Sequence, residues 1–160
     1  MSKTNKATGP KVAALLRPET INLNLQARDK VGVLREVASL LSQSQRVANF
    51  QVFLDEILER ERISSTALAY DVAIPHARTD QCNEILLAVG RSVAGVDFGV
   101  PNSQPVRLVF LIGTPKRMVT EYLRVVGNLA RLLRQDALRA QLLAAPEAAT
   151  FIQLLDSAES

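Results

Sequence analysis

His76 is the only histidine in 160 residues. It closes the run Asp71-Val-Ala-Ile-Pro-His76, with Ala77 and Arg78 behind it. A neutral imidazole presents a ring nitrogen that can act as base, nucleophile or metal ligand near neutral pH. One imidazole cannot build a multi-histidine metal site; neither a metal nor another cofactor is expected. Upstream, Arg60 offers a permanently charged fork of N–H donors, and Ser64-Ser65-Thr66 offers hydroxyls. These groups suit a phosphoryl dianion. Each also has a structural alternative. The arginine can pair with Glu56 or Glu59, the serine–threonine cluster can be a turn or cap, and a lone histidine can be a hydrogen-bonded core group. Pro75 restricts the backbone just before the ring and helps to aim it.

The remaining reactive side chains form no second site. Cys82 follows His76 by six residues, but no device that would lower a thiol pKa is evident, so an inert loop thiol is expected. Asp80 and Glu84 read as solvent-facing charges in a turn. The seven glycines are scattered and form no phosphate-binding loop. Gly127 reads as a point of close helix packing. Arg124, Arg131, Arg134 and Arg139 read as a solvated face.

The elements that must carry His76 follow from hydrophobic pattern. Residues 1–10 read as a disordered tail closed by Gly9-Pro10, and residues 11–160 as one domain. Ile21 to Leu25 alternates and predicts a strand with one wet face. Asp29 is placed to cap a helix with Val31, Leu34, Ala38 and Leu41 on one side. Asn49 is placed to cap the next, which carries Phe50, Phe53, Leu54, Ile57 and Leu58 into Glu59-Arg-Glu-Arg62. Val72–Ile74 is short and extended, stopped by Pro75. Ile85–Val89 and Val106–Ile112 are nearly continuous apolar runs, the pattern of strands buried on both faces. A long helix is expected from about Thr120 to Arg134. Leu123, Val126, Ala130 and Leu133 mark its inward stripe, widened by Val125, Leu129 and Leu132. Asp136 is placed to cap a short helix. Pro146 opens the last one, with Ala148, Phe151, Ile152 and Leu155 inward. The fold class is therefore α/β: a single domain with a mixed sheet covered by helices on both faces.

Composition excludes several classes. Hydrophobic residues make up 48 % and charged residues 22 %, normal for a soluble domain. No apolar run approaches the roughly 18 residues that span a bilayer, so no direct membrane insertion is expected. The first residues lack the apolar stretch of a signal peptide, and the lone cysteine forms no intrachain disulfide. Together these predict a cytoplasmic protein. The net charge is +3, yet Lys3, Lys6, Lys11 and Arg17 precede every acid; without them, 15 basic groups face 16 acidic ones. A nucleic-acid binder would be expected to carry a basic face and aromatic stacking platforms; with a remainder near neutrality and few aromatics, nucleic-acid binding is not expected.

Leu58-Glu-Arg-Glu-Arg-Ile-Ser-Ser-Thr66 followed by Ala-Ile-Pro-His-Ala-Arg78 resembles the enzyme IIA domains of the fructose/mannitol class. These belong to the bacterial phosphoenolpyruvate-dependent phosphotransferase system, and the likeness is greatest to the nitrogen-regulatory branch. It runs from about Leu15 to Leu155, including Gln104-Pro105-Val106 leading into an apolar strand. The resemblance implies a phosphocarrier. His76 would accept a phosphoryl group from the carrier HPr, Arg60 would neutralise it, and Ser65 and Thr66 would occupy the matching Ser-Thr positions. The phosphoryl group would pass to a cysteine of an enzyme IIB domain, or its presence would regulate a partner such as a transporter or kinase. Two departures stand out. Many members carry a second histidine where this chain has Tyr122, which can donate an O–H to phosphate but is neutral. Glycines common before the Pro-His are replaced by Ala67, Ala69 and Asp71. Alanine would be strained wherever φ had to be positive, and Asp71 would add negative charge near the site. A degenerate, phosphate-free interaction domain is the alternative reading.

Overall fold

A computed structural model describes residues 10–43 and 45–160. The expected tail lies almost wholly outside the described residues. The elements in chain order are β1 (Ile21–Asn22), α1 (Lys30–Ser39), α2 (Phe50–Ile63), β2 (Val72–Ala73), β3 (His76–Thr79), β4 (Leu86–Val96), β5 (Val106–Pro115), α3 (Val119–Leu133), α4 (Asp136–Ala144) and α5 (Ala148–Glu159). The five strands make one mixed sheet in the order β1-β4-β5-β2, with β3 following β2 along the same side of β5. β4 and β5 are antiparallel, and the other pairings are parallel.

The period-2 geometry of strands divides the apolar runs between two cores. Ile85, Leu87 and Val89 with Leu108, Phe110 and Ile112 pack against α3, α4 and α5. Leu86 and Ala88 with Val109 and Leu111 pack against α1 and α2. Both faces are thus covered by helices, as the continuous apolar runs predict. Asp29 and Asn49 cap α1 and α2 through side-chain oxygens that accept from Gly32 N and Val52 N, satisfying otherwise orphaned amides.

Local readings shift where tertiary packing decides. The first strand is only Ile21–Asn22, although Leu25 N still donates to Arg91 O. Val31 points to solvent while Val33 and Val37 join Leu34 and Ala38 inside. The inward face of α3 is Tyr122, Val125, Asn128, Leu129, Leu132 and Leu133, and Leu123 is 58 % exposed. The helix is rotated from the expected stripe and is open on one side. Gly127 is exposed, and a Cβ there would meet nothing within 4 Å, so close packing is not its role. Gln135, not Asp136, is the N-cap of α4. Glu147 precedes α5, one residue after Pro146.

Asp71 is the clearest correction. It does not charge the surroundings of His76 but is buried where β2, β5 and α4 meet. Arg107 Nε donates to its Oδ2 at 2.8 Å, Arg107 Nη2 lies 2.6 Å from the same oxygen, and Arg139 Nε lies 3.8 Å from Oδ1. Its backbone oxygen accepts from Arg107 N and Leu108 N, whereas His76 pairs with Ile112. Four residues of strand separate these levels, roughly 13 Å. Arg139 also stacks 4.2 Å above the Tyr70 ring and donates to Leu133 O. It is therefore a structural group and not part of a solvated face.

Removing the buried carboxylate leaves Arg107 without its anion, while Arg139 keeps Asp136. Arg107 is 43 % exposed and can partly rehydrate, which reduces the cost below that of a fully buried pair. Asp71→Ala is expected to lower stability by about 2–3 kcal/mol in urea unfolding. A change below about 0.5 kcal/mol would show that the ion pair contributes nothing.

Candidate functional site

The chain reaches His76 through a break in the strand. β2 ends at Ala73 and β3 begins at His76, with Ile74 and Pro75 between them. Pro75 O accepts from Ile112 N and holds the break against β5, and Ile74 N donates to Thr66 O. The Ile74 carbonyl is thereby free to face the ring, and His76 Nδ1 lies 3.1 Å from it. A carbonyl oxygen only accepts, so Nδ1 carries the proton and Nε2 holds the free lone pair. Among the described residues, Nε2 has no hydrogen-bond partner.

The segment that supports Ile74 is itself fastened from below. Glu61 is only 3 % exposed. Its carboxylate accepts from Thr66 N at 2.9 Å and Thr66 Oγ1 at 2.6 Å, and it pairs with Lys30 Nζ at 3.0 Å. A buried carboxylate needs such a set of partners. Ala67 then bridges Ala73. A continuous chain of polar contacts therefore runs Lys30–Glu61–Thr66–Ile74–His76. Among the described residues, the only non-glycine with positive φ is Asn102. Ala67 and Ala69 thus sit without the strain expected of alanine in place of glycine.

Alternation along β3 separates its side chains. Ala77 joins the core under α1 and α2, and the Thr79 hydroxyl donates to Glu56 Oε1 of α2. His76 and Arg78 share the other face. There the His76 ring meets Tyr122 of α3, with centroids 5.3 Å apart and planes tilted by 45°. β3 is the sheet edge, and an open cleft of ≈ 620 Å³ lies between it and the outer face of α2. His76, Ala77 and Arg78 line one side; Arg60, Glu59, Glu56 and Ile63 are among the residues lining the other.

The expected site residues thus fall into two sets. His76, Arg60 and Tyr122 come together. The hydroxyls of Ser65 and Thr66 are engaged locally, Ser65 Oγ accepting from Ala67 N at 3.2 Å and Thr66 Oγ1 donating to Glu61 of α2. Arg60 Nη1 donates to Ser64 O at 2.8 Å, closing the end of α2, and among the described residues it makes no ion pair with a carboxylate. Glu61 and Arg78 were not singled out as functional by sequence reasoning. The adjacency of Glu61 to Arg60 and of Arg78 to the Pro-His run was the available signal. Cys82 is buried, which raises its thiol pKa. Asp80 and Glu84 are exposed as expected, paired with Lys116 and Arg46.

The electrostatics keep the imidazole neutral. Burial lowers the His76 pKa, the Ile74 bond raises it, and Arg60 lowers it further while Glu61 raises it; the net direction is down. Burial raises the Tyr122 phenol, opposed by Arg60 and Arg78, so this hydroxyl stays protonated as a donor.

Residues 14–158 match the family described as "Phosphoenolpyruvate-dependent sugar phosphotransferase system, EIIA 2". The chain belongs to this family. It is 33 % identical over 146 residues to the fructose-specific EIIABC component of Bacillus subtilis, covering 91 % of this chain but only 23 % of that protein. It is 32 % identical over 148 residues to a nitrogen regulatory protein of Bradyrhizobium diazoefficiens, covering 90 % of this chain and 94 % of that one. Among solved structures, IIA-Ntr of Neisseria meningitidis superposes with a TM-score of 0.83 at 26 % identity, covering 90 % of this chain and 98 % of that one. The fold is also that of Escherichia coli enzyme IIA mannitol in its complex with phosphorylated enzyme IIB mannitol (TM-score 0.78, 22 % identity, 89 % and 97 % covered). The fold class expected from the sequence agrees with these enzyme IIA structures.

The lowered His76 pKa has a defined sign in stability. The unfolded chain binds a proton near the ordinary value of about 6.5, and the folded chain binds it only at lower pH. The stability contribution is present above that value and is lost as pH falls through the folded pKa. NMR titration of the single histidine should give a midpoint below about 6.5, and urea unfolding of His76→Gln should lose the corresponding pH dependence. A midpoint above 7 would contradict the geometry.

Proposed function

We propose that this domain is a phosphocarrier in which His76 Nε2 receives a phosphoryl group from a phosphohistidine of an HPr-type donor. The observation that carries the reading is the pairing of a fixed Nδ1–H with an unengaged Nε2 beside the Arg60 guanidinium. In the transfer, the Nε2 lone pair forms a bond to phosphorus while the donor's N–P bond breaks. The donor nitrogen takes back that electron pair, and the PO₃ group moves with its negative charge. Each ring keeps its own N–H, so no metal or further co-reactant is needed. Catalysis of such a step is mainly alignment and charge stabilisation.

Arg60 supplies the charge from the last turn of α2, and the Tyr122 hydroxyl supplies a neutral hydrogen bond where relatives commonly have a histidine. Thr66 serves through its backbone, holding Ile74, and Ser65 shapes the turn before it. Val52 and Ile63 on α2 and Val119 and Leu123 on α3 are exposed apolar side chains on the two helices that flank the site. They suit transient docking of a donor and an acceptor protein. The acceptor is an enzyme IIB cysteine or a regulated transporter or kinase, as the sugar-specific and nitrogen-regulatory relatives suggest. The domain spans residues 11–160. No helix among the described residues is long and apolar enough to cross a membrane; a cytoplasmic location is the one expected of such a carrier. The grounds for a degenerate, phosphate-free domain weaken once Ala67 and Ala69 are unstrained and Asp71 is paired away from the ring.

Incubation with phosphoenolpyruvate, enzyme I and a cognate HPr should place one acid-labile phosphoryl group on the wild-type chain and none on His76→Ala. Equal labelling of both, or of neither, would refute the proposal.

A further inference from the structure

Arg78 stands out once the roles above are assigned. It is exposed at the edge strand and follows His76 by two residues, so both side chains leave the same face of β3. Their origins are roughly 7 Å apart along the strand, a span an arginine side chain covers. Among the described residues, its guanidinium makes no ion pair or hydrogen bond, unlike Arg62, Arg107 and Arg139, each of which meets a carboxylate. It lines the same cleft as His76 and Arg60. Arg60 has already given one N–H to Ser64 O, and Tyr122 contributes no charge. A transferred phosphoryl group has three oxygens and about two negative charges. One partly committed guanidinium satisfies only part of that demand.

We propose that Arg78 is a second guanidinium ligand of the phosphoryl group on His76, reaching it from β3 as Arg60 reaches it from α2. The inference rests on the phosphocarrier reading and adds a specific residue to it. The free fork suits two parallel N–H···O bonds to phosphate oxygens, a geometry that lysine cannot reproduce. In the free protein the same guanidinium remains in water, so holding it ready costs little desolvation.

The test compares wild type with Arg78→Gln and Arg78→Lys, using phospho-HPr as donor. Arg78→Gln is expected to lower the rate of phosphoryl acceptance about 10- to 100-fold, with Arg78→Lys intermediate. Thermal unfolding should be unchanged, since the side chain is exposed and unpartnered. A second readout excludes a role in donor docking alone. In the isolated phosphoprotein, the protonation midpoint of the phosphohistidine, followed by the ³¹P shift, should rise in Arg78→Gln because a nearby cation that opposed protonation is gone. Normal acceptance by wild type with an unshifted midpoint in Arg78→Gln would overturn the role of Arg78 and leave the phosphocarrier reading intact. Failure of wild type itself to accept the group from a cognate donor would overturn both.

Discussion

The hydrogen bond from His76 Nδ1 to the Ile74 carbonyl, 3.1 Å long, decides what the site can do. An imidazole has two interchangeable nitrogens, and a carrier needs one of them held as an N–H so that the other keeps its lone pair. Nothing on a regular strand would supply that acceptor. Within the β3–β5 ladder the backbone oxygens that face β5 are used, as Pro75 O is by Ile112 N. The carbonyl of Ile74 is left over because Pro75 interrupts the strand, and it stays in place because Thr66 O takes the Ile74 N–H. Thr66 in turn is held by the buried Glu61 and Lys30. An ion pair at the base of two helices thus fixes the orientation of a ring it does not touch.

Charge is arranged around that ring with restraint. Burial keeps the imidazole neutral, and the half-buried Arg60 guanidinium reinforces the effect. The more buried charges of the molecule are paired elsewhere: Asp71 with Arg107 and Arg139, Glu61 with Lys30. A dianion arriving at Nε2 would meet two guanidinium groups, Arg60 and Arg78, that make no ion pair among the described residues, although Asp55, Glu56 and Glu59 line the same cleft. Tyr122 fits the same logic. It packs against the imidazole and keeps its proton, so it offers a hydrogen bond without competing for the phosphoryl group as a second nucleophilic ring would.

Much of this was legible in the sequence, for identifiable reasons. The alternate residues of Ile85–Val89 and Val106–Ile112 divide between the two cores because side-chain period on a strand is fixed. Asp29 and Asn49 signalled helix starts because their caps are local. The Pro-His run with its upstream arginine marked the site because those residues are close in sequence to the elements that carry them. The partner of Asp71 was not legible, since Arg107 lies 36 residues away and only the pairing of β2 with β5 brings it near. The inward face of α3 was read in part: Val125, Leu129, Leu132 and Leu133 are inside as expected, but Leu123 faces solvent and Tyr122 is buried against the His76 ring. The hydroxyls of Ser65 and Thr66 resembled phosphate ligands by type, but the buried carboxylate of Glu61, whose depth no local pattern reveals, claims the Thr66 hydroxyl.

The most direct test of this account is the identity of the phosphorylated nitrogen. Long-range ¹H–¹⁵N correlation of the single histidine, recorded on the chain after phosphorylation by phospho-HPr, distinguishes the two ring positions. The structure predicts phosphorus on Nε2 with Nδ1 still directed at the Ile74 carbonyl. A phosphoryl group on Nδ1 would contradict it, because that nitrogen would have to leave the one hydrogen bond that orients the ring.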